Sequence, residues 1–151
     1  MKFHMPVRLL FILIALQFIV FSLNTPCFAD DALKYFEMGN KYSKEGKYEL
    51  AIKEYQKAIK NNQRISAFHY NLANVLFAVE RRKEAIKEYK KAISINPLNS
   101  DYNRNLGIAY TMEGQFNEAE EILKNLQIAS PAKAKQLESF LAVAKKQKIL
   151  K

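Results

Sequence analysis

The sequence predicts an all-α fold: a solenoid of three helix-turn-helix repeats closed by a C-terminal capping helix. Three observations lead there. The segment Ala51-Ile52-Lys53-Glu54-Tyr55-Gln56-Lys57-Ala58-Ile59 returns 34 residues later as Ala85-Ile86-Lys87-Glu88-Tyr89-Lys90-Lys91-Ala92-Ile93, and a weaker third copy begins at Ala119 after the same interval. A fixed period of this size marks stacked modules. Gly46 and Gly114 fall where a first helix has to end, and glycine accepts the left-handed conformation that closes a helix C-terminus. Asn96-Pro97 and Ser130-Pro131 fall at equivalent points between modules, where proline cannot prolong a helix and its fixed φ suits a new start.

The repeats are read as residues 32–65, 66–99 and 100–133, within a domain of three units spanning 30–131. Small residues occupy the eighth place (Gly39, Ala73, Gly107) and the twentieth (Ala51, Ala85, Ala119), where the two helices of one unit approach closely. Large apolar residues fill the seventh (Met38, Leu72, Leu106), the eleventh (Tyr42, Leu76, Tyr110) and the twenty-fourth (Tyr55, Tyr89, Leu123), spaced to fall on buried helix faces. The middle unit departs at its turn, with Glu80-Arg81 instead of glycine, and the first has Gln63 in place of the linking proline. After the third unit, Ser130 offers an N-cap and Pro131 a first helical position. Leu137, Phe140, Leu141 and Ala144 then recur at helical spacing, so residues 132–151 read as a capping helix with a basic tail. Such a cap needs a polar outer side, and Leu126, which replaces the alanine of the earlier units, marks where it docks.

This pattern resembles the tetratricopeptide repeat (TPR) family, although no unit has the family's early tryptophan; His69 stands at that fourth place in the second unit and reads as packing rather than a metal ligand. The resemblance implies a right-handed α-solenoid whose concave groove, lined by the first helix of each unit, receives an extended peptide or a partner's helix. The groove-facing places of the family hold Phe36, Glu37, Asn40 and Lys44, then Tyr70, Asn71, Asn74 and Ala78, then Asp101, Arg104, Asn105 and Met112. Asn71 and Asn105 share the sixth place and Asn40 and Asn74 the ninth, so stacking is expected to bring each pair into a ladder. A carboxamide offers both a donor and an acceptor, which suits a peptide backbone. Phe36 and Tyr70 are the candidate apolar anchors, and Arg104 the candidate partner for an acidic group on the ligand. Asparagine is also common at these places in the family, so ancestry alone is the competing explanation. The family's clamp for chaperone C-termini uses two asparagines and three cations; its asparagine places match Asn40 and Asn71, but its cationic places hold Phe36, Asp101 and Asn105.

Residues 1–29 differ in kind. Lys2 and Arg8 precede an apolar run from Leu9 to Leu23, and Cys27-Phe28-Ala29 places small residues where a signal peptidase needs them, so an export signal cleaved between Ala29 and Asp30 is expected. Lipid attachment at Cys27 would need small residues ahead of it, which Asn24 and Pro26 are not. The structural alternative is a retained signal anchor. An exported product would be periplasmic or secreted, and a retained segment would leave it membrane-anchored.

Lysine and arginine number 24 against 15 acids; without Lys2 and Arg8 the balance is 22 to 15, a formal +7 from Asp30 onward. Much of the excess lies on second helices (Lys53, Lys57, Lys60, Lys87, Lys90, Lys91), interleaved with Glu54, Glu84 and Glu88, and reads first as a solvated outer face. From Asp30 onward there is one histidine, no cysteine and no glycine-rich phosphate loop. No catalytic constellation, metal site or cofactor site is therefore expected, and an exported chain has no call for nucleic acid. The sequence points to a non-enzymatic exported adapter that binds a peptide segment or helix of a protein partner in its concave groove, in envelope complex assembly. The alternative is a membrane-tethered structural subunit with a basic face toward anionic surfaces, membrane contact depending on retention of the N-terminal segment.

Overall fold

A computed structural model describes residues 28–149, with side chains over 31–147, and in this range the chain is seven α-helices and no strand. They are α1 (Phe28–Lys44), α2 (Tyr48–Asn61), α3 (Ser66–Ala78), α4 (Arg82–Ile95), α5 (Ser100–Met112), α6 (Phe116–Ala129) and α7 (Pro131–Ile149). Helices α1/α2, α3/α4 and α5/α6 pack as successive hairpins, and α7 lies against both α5 and α6. The apolar run and most of the expected export signal lie outside the described residues; the Ala29–Asp30 bond falls in the first turn of α1.

The alanines at the twentieth place explain how the hairpins close. Ala51, Ala85 and Ala119 are fully buried, and beside them Tyr55 and Tyr89 are buried along nearly their whole length. Burying each such large side chain contributes about 1.5–3 kcal/mol. Gly39 shows why the eighth place is small: a Cβ there would sit 2.6 Å from the Tyr55 ring, inside any tolerable contact. Gly107 departs from that expectation. The space over it is filled by Leu137 of α7, a helix outside its own hairpin. Leu123 takes the tyrosine's place in this unit and is shorter, so the capping helix supplies the missing volume.

All three hairpin turns close alike. The N–H groups of Lys47, Arg81 and Gln115 each donate to the carbonyl five residues back, on Tyr42, Leu76 and Tyr110, at 2.9 Å. That bond requires a left-handed residue between them. Gly46 and Gly114 adopt φ of 73° and 74°, and Glu80, although it carries a side chain, is held at 62°. The link lacking proline is secured differently: Asn62 Oδ1 accepts from Arg64 N–H at 3.0 Å, and His69 Nε2 lies 3.2 Å from the Gln63 carbonyl. His69 is buried and donates from Nδ1 to Glu88 Oε2 at 2.7 Å, so its ring ties α3 to α4 and to the preceding link. Burial pushes the Glu88 carboxyl up, but hydrogen bonds from His69 and Lys91 outweigh it and hold the group below its ordinary value.

At the C-terminal end, Leu126, Ala134 and Leu137 form a buried cluster with Ile108, Ile122 and Leu123 packed around it, which is how α7 covers the last hairpin. Leu141 is buried as well, while Phe140 and Ala144 are half-buried. The outer side of α7 exposes Lys135, Gln136, Glu138, Ser139, Lys146 and Gln147, interrupted by the apolar Val143 and by Ala132 and Ala142. No described helix is long and apolar enough to cross a membrane.

Candidate functional site

The first helices α1, α3 and α5 stand side by side, joined by ring contacts and by carboxamides. Asn71 Nδ2 donates to Asn40 Oδ1 at 3.2 Å, and Asn105 Nδ2 donates to Asn74 Oδ1 at 3.1 Å. The rungs therefore join the ninth place of one unit to the sixth place of the next. The expected pairs, Asn71 with Asn105 and Asn40 with Asn74, do not form. Like places in adjacent units are a full repeat apart in sequence, whereas it is residues 31 apart that come within hydrogen-bond reach across neighbouring first helices.

Each rung has a third member that sequence reasoning missed. Tyr55 donates its hydroxyl to Asn40 Oδ1 at 2.8 Å, and Tyr89 donates to Asn74 Oδ1 at 2.6 Å. Burial pushes the Tyr55 hydroxyl up to about 12 and also raises that of Tyr89, so both phenols keep their protons and remain donors. Two donors converge on each asparagine oxygen, which fixes the orientation of both amides. A signal for this was present in the chain: in the third unit the ninth and twenty-fourth places change together, to Ile108 and Leu123, both packed in the cluster under α7. The asparagine and the tyrosine are a matched pair, lost together where the cap docks.

After these bonds, the Nδ2 groups of Asn40 and Asn74 and the Oδ1 of Asn71 have no protein partner among the described residues. Asn105 is spent. Its Nδ2 also donates to the Tyr70 hydroxyl at 2.9 Å, and its Oδ1 accepts from Arg104 Nε and Nη2 at 3.3 and 3.1 Å. Arg104, the candidate ligand cation, is turned to the cap instead: Nη1 donates to Gln136 Oε1 at 2.7 Å and Nη2 lies 3.4 Å from Asp101, which also pairs with Lys133. Phe36 is half-buried, its ring 4.8 Å from Phe68 and 5.8 Å from Tyr55. Tyr70 is stacked on Tyr102 at 4.4 Å and lies 5.9 Å from Tyr89. Both anchors are thus wedged in place by neighbouring rings and present only part of their surface.

Helix α3, in the middle of this wall, carries no Asp, Glu, Lys or Arg from Ser66 to Ala78. Helix α1 is different: an open depression of about 440 Å³ is lined by Glu37, Asn40, Lys41, Lys44 and Glu45. Among the described residues no cluster of His, Cys, Asp or Glu is placed to hold a metal ion.

Three hairpins sharing a polar inner wall and a terminal cap define a helical-repeat solenoid. The chain belongs to the tetratricopeptide repeat family: a TPR repeat model matches residues 39–79, and a second tetratricopeptide repeat model matches residues 76–142. Among solved structures it is similar to the second TPR domain of human RPAP3 in complex with the HSP70 peptide SGPTIEEVD, with 28% identity, 78% of this chain and 98% of that chain covered, and a TM-score of 0.71. It shares its fold with the Arabidopsis OM64 TPR domain, at 22% identity, 76% and 97% coverage and a TM-score of 0.70. The same holds for the Yersinia enterocolitica type III secretion chaperone SycD in complex with a peptide of the translocator YopD, at 21% identity, 79% and 95% coverage and a TM-score of 0.69. No curated protein sequence matches the chain significantly.

Proposed function

We propose that this chain is an exported, non-enzymatic adapter whose inner wall holds a peptide segment or helix of another envelope or secreted protein during assembly of a larger complex. One observation carries the reading: the uncharged α3 presents Asn71 and Asn74 with unclaimed amide groups, beside the unclaimed amide of Asn40. Free N–H and C=O groups on an uncharged strip match a peptide main chain and make no demand on its side chains. The RPAP3 and SycD domains were each solved with a bound peptide, which supports the use of this scaffold to hold one.

The partner differs from the RPAP3 peptide in chemistry. SGPTIEEVD has three acids among its last four residues, whereas the places that carry cations in the family's clamp hold Phe36, Asp101 and Asn105 here. Export rests on Lys2, Arg8, the apolar run from Leu9 to Leu23 and the small residues Cys27 and Ala29. An intact mass that begins at Asp30 in the soluble envelope fraction supports it, and full-length chain in the cytosol rejects it. For the groove, affinity capture from the native envelope fraction compares wild type with Asn71→Ala and with Asn71→Ala/Asn105→Ala. Capture falls in both while helicity stays unchanged; undiminished capture rejects the inner wall as the binding face.

A further inference from the structure

Each hairpin is antiparallel, so the ends of α2, α4 and α6 and the starts of α1, α3, α5 and α7 share one edge of the solenoid. Two aliphatic side chains stand out from that edge almost completely bare: Leu98 is 91% exposed and Ile128 is 89% exposed, with Ile95 partly exposed nearby in sequence. Leu98 is held there by a built link. Asn99 caps α5 through bonds from Asp101 and Tyr102 N–H at 3.0 and 3.3 Å, and Asn103 Nδ2 donates to the Pro97 carbonyl at 3.3 Å. The side chain is thus turned outward, with nothing among the described residues to cover it.

The same edge carries Lys60, Arg64 and Lys135, exposed and without an ion pair among the described residues. Its acids are Asp30 and Asp31 at the start of α1, and Asp101, which Lys133 and Arg104 already meet. The described chain also begins at this edge, at Phe28 of α1, and the apolar run Leu9–Leu23 precedes it in sequence. Bare aliphatics flanked by free cations are the pattern of a surface that rests in the headgroup region of a bilayer.

We propose that this edge lies against an anionic lipid surface, with Leu98 and Ile128 entering the headgroup–acyl boundary and Lys60, Arg64 and Lys135 meeting lipid phosphates. These residues are separate from the inner wall, so the edge can rest on a membrane while the groove stays open to a partner. The contact adds to whatever hold residues 1–27 have and does not depend on it.

The chain has no tryptophan, which allows a direct test with single reporters in the full-length protein. Leu98→Trp and Ile128→Trp place the reporter on the edge. Leu50→Trp places it in the first turn of α2, at the opposite edge, where Leu50 is 42% exposed. Each variant is mixed with phosphatidylglycerol vesicles whose acyl chains are brominated near the headgroup, and with matching phosphatidylcholine vesicles. Quenching at positions 98 and 128 on the anionic vesicles is expected to exceed that at position 50 by at least about twofold, with a blue-shifted emission, and to weaken in high salt. Equal quenching at all three positions overturns the proposal, as do edge reporters that stay wet on vesicles, the result expected if the edge meets a protein, and quenching that is the same on neutral lipid.

Discussion

Glu80 is the one described residue with a side chain at positive φ, and replacing it with glycine should stabilise the protein. Its φ of 62° lies close to the 73° and 74° of Gly46 and Gly114, which occupy the same point of the other two hairpins. An L-residue in this conformation is disfavoured by about 1–2 kcal/mol. Glycine removes that strain but loses more backbone freedom on folding, about 0.5–1 kcal/mol. The Glu80 carboxylate lies 3.5 Å from Arg82 on an open surface, an ion pair of little worth. The balance for Glu80→Gly is a gain of about 0.5–1 kcal/mol, a rise of roughly 2–5 °C in Tm for a domain of this length. The reverse substitution calibrates it. A Cβ at Gly46 or Gly114 would meet nothing within 4 Å, so Gly46→Ala and Gly114→Ala lose only conformational energy, about 1 kcal/mol each. Urea unfolding followed by far-ultraviolet circular dichroism reads all three variants, with midpoints compared at constant slope. A Glu80→Gly midpoint at or below wild type, with Gly46→Ala destabilised as stated, would refute the strain argument.

Other outcomes follow from the same contacts. Tyr89→Phe removes one of the two donors on Asn74 and keeps the ring packing, so urea unfolding should register a loss of about 1 kcal/mol. Leu137→Ala empties the space over Gly107 and should destabilise by about 2–5 kcal/mol, with faster amide exchange concentrated in α7. Glu88 has its carboxyl held below the ordinary value in the folded state. Its contribution is therefore present above the unfolded value and lost as pH falls through the folded one. Tm of wild type should accordingly fall more steeply than that of Glu88→Gln on acidification below about pH 4.5, the reference value for the carboxyl; parallel curves would dismiss the His69–Glu88 contact as a source of acid sensitivity.

The helices were legible because the signals that set them are local and repeated. The twentieth-place alanines, the tyrosines four residues on, and the turn glycines each report one backbone or packing requirement, and the 34-residue period repeats the report. Two things escaped such reading. The first was geometry between units: the spacing of Asn40, Asn71, Asn74 and Asn105 identified the wall, but the offset of adjacent helices decides which of them touch, and that offset is set by packing across units. The second was competition for polar groups. Arg104 and Asn105 look available in sequence, yet Gln136 of α7 and the Tyr70 hydroxyl claim them, and nothing local to either residue announces partners 32 and 35 positions away.

The replacement of the asparagine–tyrosine pair by Ile108 and Leu123 makes the array directional for growth. A duplicate of residues 66–99 spliced in after Asn99 would find a carboxamide waiting on each side: its own Asn71 would reach the existing Asn74, and its own Asn74 would receive Asn105. The same cassette placed after the third hairpin would meet an oily socket shaped for Leu137 and leave its amide unanswered. Lengthening this protein, by gene duplication or by design, is therefore an operation on its middle, with the final hairpin and α7 carried along as a fixed terminus.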